Sequence, residues 1–223
     1  MVDATIWKRI KEETAEQGVT LVAVSKKKPV GDIEELYKLG ERNFGENYVQ
    51  ELIEKQPLLP GDIHWHYIGH LQTNKVKYIA KFVHLIHAVD SFKLLQEIDK
   101  QAGKHERVID VLLQLHVAEE ETKHGLDNTE LVEFLDTYEA QKAQLSHVRI
   151  RGLMGMATFT DDMEQVRREF RQIKNMHNFV RDSYFITKDY FNTCSMGMSS
   201  DYKIAIEEGS TMVRIGSSIF GER

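Results

Sequence analysis

From Thr20 onward, short apolar runs alternate with longer amphipathic stretches. "TLVAVS" is followed by "DIEELYKLG", "RNFG" by "NYVQELIEKQ", "IHWHYIGH" by "NKVKYIAKF", and "LIHAVD" by "SFKLLQEIDKQAG". The rhythm continues with "VIDVLLQLHVA" before "NTELVEFLDTYEAQ", "VRIRGLMGMAT" before "MEQVRREFRQIKNMHNFV", "FNTCSMGMS" before "YKIAIEEG", and "MVRIGSSIFG" last. These are about eight strands with helices between them. Strands that read as near-continuous apolar runs, separated by helical patterns, imply a parallel sheet covered by helices. Ahead of them, a helix is predicted over roughly Thr5 to Gln17, with Ile6, Trp7 and Ile10 on one side and Gly18 as its terminating residue.

Two architectures suit such a pattern: a doubly wound open sheet and a closed (β/α)8 barrel. The strand count and the 223-residue length favour closure. With three prolines, fourteen glycines and no Ser/Gly-rich or single-charge tract, no linker is marked. The expectation is one α/β domain over 1–223, a single-domain (β/α)8 TIM barrel with an extra N-terminal helix over 1–18.

Charge and cysteine usage narrow the function. A formal charge of −6 repels phosphate backbones and anionic membranes, so no nucleic-acid or membrane partner is expected. Cys194 is the single cysteine, which rules out an internal disulfide and fits a reducing, cytoplasmic setting. "MVDATIWKRIKEET" carries no long apolar core, and no later stretch approaches a membrane span. The expectation is a soluble protein that keeps its N-terminus.

In a barrel the functional end is the C-terminal edge of the strands. There the chain places "SKKKP", "GENY", "GHLQTNK", "CSMGMSSD" and "RIGSSIFG", polar and glycine-rich segments. Loops after the seventh and eighth strands commonly bind phosphate, because backbone N–H groups converge there on an anion. "SMGMSS" and "IGSS" supply close-approach glycines and donor serines. A lysine at the mouth of the first strand, opposite a phosphate cradle, suits a cofactor with an aldehyde at one end and a phosphate at the other. Pyridoxal 5′-phosphate (PLP) is such a cofactor. Period-two alternation puts Val22, Val24 and Lys26 on one face and Leu21, Ala23, Ser25 and Lys27 on the other. Lys26 and Lys28 therefore both remain, with Lys26 nearer the strand and better placed for desolvation.

The segments "AVSKKKP", "FGENYVQE", "HWHYIGHLQTNK", "RIRGLMGMA" and "CSMGMSSDYKIAIEEGSTMVRIGSSIFG" together resemble the YggS/PROSC family of pyridoxal phosphate-binding proteins, the PLP homeostasis proteins, from about Val19 onward. That family is similar in fold to the N-terminal barrel of alanine racemase. The resemblance implies Lys26 as the Schiff-base residue, Ser195, Gly197, Ser199, Gly216 and Ser217 around the phosphate, and Arg214 against the pyridine nitrogen. Asn47 and His66 are placed by it at strand ends on the same mouth. Lys27 stands where the family often has Thr, and Met196 where it often has Leu. The implied role is intracellular PLP homeostasis with little turnover, the partners being PLP and apo-PLP enzymes and the chain a monomer. A PLP-dependent amino-acid racemase is the competing expectation, although racemase-like enzymes take a tyrosine base from a second domain and only six residues (223 − 217) follow Ser217.

Other motifs read more simply. His64 and His66 share a strand face without an evident third metal ligand. Cys194 lacks a nucleophile elbow and reads as a small buried residue. Ser25 and Lys26 point to opposite faces, which excludes a dyad. Met154 and Met156 read as core filler within a strand, and the charged runs Glu119 to Thr122 and Arg167 to Lys174 as solvated segments.

Overall fold

The computed structural model describes residues 2–117 and 124–221. Eight parallel strands close into a barrel in chain order, and the first pairs with the last. They are β1 (Thr20–Val24), β2 (Asn43–Glu46), β3 (His64–Tyr67), β4 (Leu85–Val89), β5 (Ile109–Gln114), β6 (Val148–Met154), β7 (Thr193–Ser195) and β8 (Met212–Ile215). Helices α1 (Ala4–Glu16), α2 (Val30–Lys38), α3 (Val49–Lys55), α4 (Val76–Ile79), α5 (Phe92–Gly103), α6 (Asn128–Gln141), α7 (Met163–Tyr184), α8 (Tyr202–Glu207) and α9 (Ser217–Phe220) lead, surround and close it. The predicted leading helix is α1, capped by the Asp3 carboxylate on the Ile6 N–H. Gly18 follows it at φ +67°, the left-handed region that ends a helix.

Strand parity sorts the core into two parts. Outward residues such as Leu21, Ala23, Phe44 and Val213 join the helices in one large apolar layer. Inward, Val22, Leu85, Ala88, Leu112, Met154 and Met212 fill the lumen. The lumen also holds polar side chains from the same inward rows, His66, His87, Ser195 and Arg214, each at most 4% exposed. A register shift between Ile86 and Val89 lets His87 and Ala88 both enter it.

Two expectations change. The run from Arg167 to Lys174 is one stretch of α7 whose Phe170 and Ile173 are buried, so it is not a solvated segment. Its Glu169 is buried too and accepts the Thr158 N–H and hydroxyl at 2.6 and 2.8 Å. Met154 is core, but Met156 lies past the end of β6 and lines a cavity at the barrel mouth. The run Glu119 to Thr122 lies outside the described residues. Among the described residues no helix is long and apolar enough to cross a membrane.

Candidate functional site

The C-terminal mouth holds a cavity of about 410 Å³, within the usual ~300–1,000 Å³ range of small-ligand pockets. Its wall carries Lys26, Lys28 and Arg214, and no Asp, Glu, His, Tyr or Cys stands among the described lining residues. A protein of net charge −6 thus presents a locally cationic pocket, which selects anions.

Local chemistry aims the lysines apart. Ser25 donates its hydroxyl to buried Glu46 Oε1 at 2.6 Å, on the helix side of β1. Lys55 of α3 donates to that same carboxylate oxygen at 2.8 Å, to the Ser25 carbonyl at 2.9 Å and to Glu51 at 2.6 Å. Burial raises the Glu46 carboxyl above its ordinary value, and Lys55 opposes the shift. This clamp holds the end of β1. Next, Lys27 turns through φ +60° with its N–H on Glu51. The Lys28 ammonium donates to the Phe220 and Gly221 carbonyls at 2.8 and 3.1 Å, capping the end of α9. Lys26 stays on the cavity wall.

Opposite the lysines, Ser199 Oγ accepts the Gly216 and Ser218 N–H groups at 3.3 and 3.5 Å, drawing the loops after β7 and β8 together. Ser199, Gly216 and Ser217 line the cavity. A Cβ on Gly216 would sit 3.1 Å from the Val24 carbonyl oxygen, so glycine permits that close approach. Gly197, at φ +98°, lies behind the wall, and its carbonyl accepts the Arg214 N–H at 3.0 Å. Asn47 lines the cavity too, and its buried Oδ1 has no hydrogen-bond partner among the described residues. Gly69 lets Asn47 sit there, since a Cβ on it would collide with the Asn47 carbonyl.

Arg214 is 4% exposed and donates from Nη1 to the Ser195 carbonyl and hydroxyl at 2.9 and 2.6 Å, and from Nη2 to the Gly155 carbonyl at 3.1 Å. Burial lowers its pKa to about 10, so it remains a cation at neutral pH. Behind it runs a chain of hydrogen bonds through the lumen. Ser195 Oγ meets His87 Nδ1 at 3.2 Å, His87 Nε2 meets His66 Nδ1 at 3.0 Å, and His66 Nε2 meets Asn43 Oδ1 at 3.2 Å. Burial holds both imidazoles well below the ordinary histidine value, so each is neutral, with one donor and one acceptor nitrogen. With the Asn43 oxygen as the final acceptor, every bond runs the same way: Ser195 to His87 to His66 to Asn43.

These contacts change the reading of His66. It does not line the mouth. It borders a second, polar cavity of about 480 Å³ at the N-terminal end of the barrel, with Asn43, His84, Asp110 and Arg151. Inward parity was legible, but His66, the third residue of β3, faces the lower cavity and not the mouth. The paired-metal reading of His64 and His66 fails because both His66 nitrogens are already engaged. Cys194 is fully buried, and burial pushes its thiol up to about 12, which removes it as a nucleophile.

The chain matches the family described as "Alanine racemase, N-terminal domain" over residues 5–223. It is 41% identical to the pyridoxal phosphate homeostasis protein of Aquifex aeolicus over 204 residues, 91% of this chain and 86% of that one. The chain belongs to the alanine racemase N-terminal domain family, among the pyridoxal phosphate homeostasis proteins. Two solved structures of PipY from Synechococcus elongatus PCC7942 share its fold. The one without PLP has a TM-score of 0.87 at 35% identity, and the one with PLP bound a TM-score of 0.84 at 34% identity. Each comparison covers 97% of this chain and 100% of that one.

Within this family fold, six of the nine expected residues meet at the mouth: Lys26, Asn47, Ser199, Arg214, Gly216 and Ser217. Ser195 and Gly197 stand behind Arg214 and brace it. Sequence reasoning missed His87, whose signal was a lone polar residue in the otherwise apolar "LIHAV". It also missed the apolar wall of Ile68 and Phe159.

Proposed function

We propose that this protein binds PLP in the mouth cavity and serves intracellular PLP homeostasis, holding the cofactor and supplying it to apo-PLP enzymes with little turnover of its own. The observation that carries the reading is a pocket wall with three cations, one of them Lys26 in the turn two residues past β1, and no carboxylate among the described lining residues. The residues fit the cofactor. Lys26 offers an amine to the aldehyde, Ser199, Gly216 and Ser217 form the phosphate side, and the buried, unpartnered Oδ1 of Asn47 offers an acceptor to a ring substituent. Arg214 lies on the wall for the pyridine nitrogen. When bound, PLP supplies a reversible attachment to amines and a ring that accepts electron density.

The chain's own residues favour holding over turnover. Arginine is only a donor and keeps its proton, so it leaves the ring nitrogen unprotonated and the ring a weak electron sink. Racemisation also calls for bases on two faces of the substrate carbon. Besides the lysines, the cavity wall presents no base among the described residues. The relatives' name, pyridoxal phosphate homeostasis protein, supports the same reading.

Titration of the purified protein with PLP is expected to raise a visible absorption band in wild type and in Lys28→Ala, and none in Lys26→Ala. No band in wild type, or a full band in Lys26→Ala, contradicts the assignment. Incubating the loaded protein with L-amino acids in deuterated water separates the two roles, because rapid Cα exchange belongs to an enzyme and its absence to a carrier.

A further inference from the structure

Away from the cofactor cavity, three successive βα loops bring a second set of chemical groups together. His70 lies three residues beyond β3, Asp90 directly follows β4, and His124 lies between β5 and α6. His70 Nδ1 is 3.3 Å from Asp90 Oδ2. The His70 and His124 rings stack with centroids 4.0 Å apart and planes 16° apart. One donor atom from each of the three residues lies within 4.8 Å of the others. None of the three lines the mouth cavity.

We propose that His70, Asp90 and His124 form a binding site for a divalent transition-metal ion of the zinc class. Two imidazoles and one carboxylate are a donor set for Zn²⁺, Co²⁺ or Ni²⁺, whereas Mg²⁺ and Ca²⁺ prefer all-oxygen sets. A tetrahedral ion with bonds of about 2.0–2.2 Å holds its donors about 3.3–3.6 Å apart. The His70–Asp90 edge already has that length. The remaining donor separations are at most 4.8 Å, and because the stacked rings aim their lone pairs in near-parallel planes, co-ligation requires the exposed His124 ring to turn toward the ion.

The backbones that carry these donors are braced. The His70 carbonyl accepts the Tyr67 hydroxyl at 3.1 Å, and burial pushes that phenol up to about 12, so it stays a donor. The His124 carbonyl accepts Gln114 Nε2 at 2.8 Å. Next to it, the Leu126 N–H donates to the Gln114 carbonyl at 2.8 Å and the His116 N–H to the Leu126 carbonyl at 2.9 Å. Gly125, at φ +138°, permits that approach, because a Cβ there would sit 2.8 Å from His116 N. Preorganised donors spare the ion the cost of ordering a loop. Three protein donors leave at least one coordination position open. His70 and Asp90 also border a shallow groove of about 460 Å³ with Gln72, Thr73, Asn74 and Ser91, whose polar groups suit water or a small oxyanion as the remaining ligand.

The test uses tag-free, chelator-treated protein without PLP, so its outcome is independent of the cofactor reading. Co²⁺ titration followed by visible d–d absorption, and Zn²⁺ titration by calorimetry, are expected to give one ion per chain. His70→Ala, His124→Ala and Asp90→Asn should each weaken binding about tenfold or more, while His105→Ala, on a distant exposed turn, should not. His124→Ala removes only an exposed side chain, so it keeps the test sound should Asp90→Asn disturb the fold. Absence of saturable binding in wild type, or unchanged affinity in both His70→Ala and His124→Ala, overturns the site.

Discussion

Lys55→Met is expected to destabilise the protein by about 3–5 kcal/mol, the cost of breaking a buried ion pair by removing one partner. The Lys55 side chain is 7% exposed and Glu46 fully buried, and one Glu46 oxygen already lacks a hydrogen-bond partner among the described residues. Without the ammonium, that carboxylate keeps only the Ser25 hydroxyl among the described residues. For a chain of this size about 2–4 °C of melting temperature accompanies each kcal/mol, so the loss reaches about 10 °C. Thermal unfolding followed by circular dichroism measures it. Lys55→Met combined with Glu46→Leu should recover much of the loss, because an apolar pair no longer strands a charge. A Lys55→Met variant within about 1 kcal/mol of wild type contradicts the clamp. The same substitution removes one of the two donors on the Ser25 carbonyl, leaving the Lys28 N–H at 3.0 Å, so it should also weaken PLP binding through the turn that positions Lys26.

Acid is expected to destabilise the fold through the lumen histidines. Burial holds His66 and His87 well below the ordinary value of about 6.5. As the pH falls through 6.5, the unfolded chain takes up these protons while the folded one does not, so stability falls with pH. The slope approaches about 1.4 kcal/mol per pH unit for each such histidine. His84 and His177, lowered to about 4 chiefly by burial, act in the same direction. Glu46 and Asp201 act oppositely: burial raises both, so protonating them favours the folded state over a window just above the ordinary carboxylate values. The charged groups facing the chain are Arg214 at its upper end and Asp110 and Arg151 at its lower end. Denaturant unfolding at pH 7 and pH 5 should therefore show a marked loss in wild type. His66→Gln/His87→Asn should flatten the profile while lowering stability at pH 7, because Ser195 and Asn43 lose their matched partners. Equal slopes in the two proteins contradict the account.

How much of this was legible in the sequence depends on the range of the interaction. Parallel strands covered on both faces are largely apolar, so β1, β4 and β5 stood out as runs, whereas the short β2 "NFGE" and β7 "TCS" were marked by their place in the strand–helix alternation. Parity placed Val22, Val24 and Lys26 on one row because the side-chain period along a strand is two. Phosphate-type loops were visible as glycine and serine density at the places where barrels bind anions. Depth along the barrel was not legible. His66 and Asn47 both follow from strand ends in the sequence, yet one borders the lower cavity and the other the upper. The Ser25–Glu46–Lys55 clamp joins a strand end, the next strand and a helix. No local pattern marks Lys55 as buried, since it sits in an ordinary charged helix, "VQELIEK". Arg167 to Lys174 misled for the converse reason, because one face of a charged helix was core.

The most direct test of the central claim is to load the protein with PLP, reduce it with borohydride, digest it and locate the added cofactor mass by mass spectrometry. The mouth geometry predicts a single modified site, Lys26, at about one cofactor per chain. Modification at Lys28 or spread over surface lysines, with Lys26 unmodified, would contradict it.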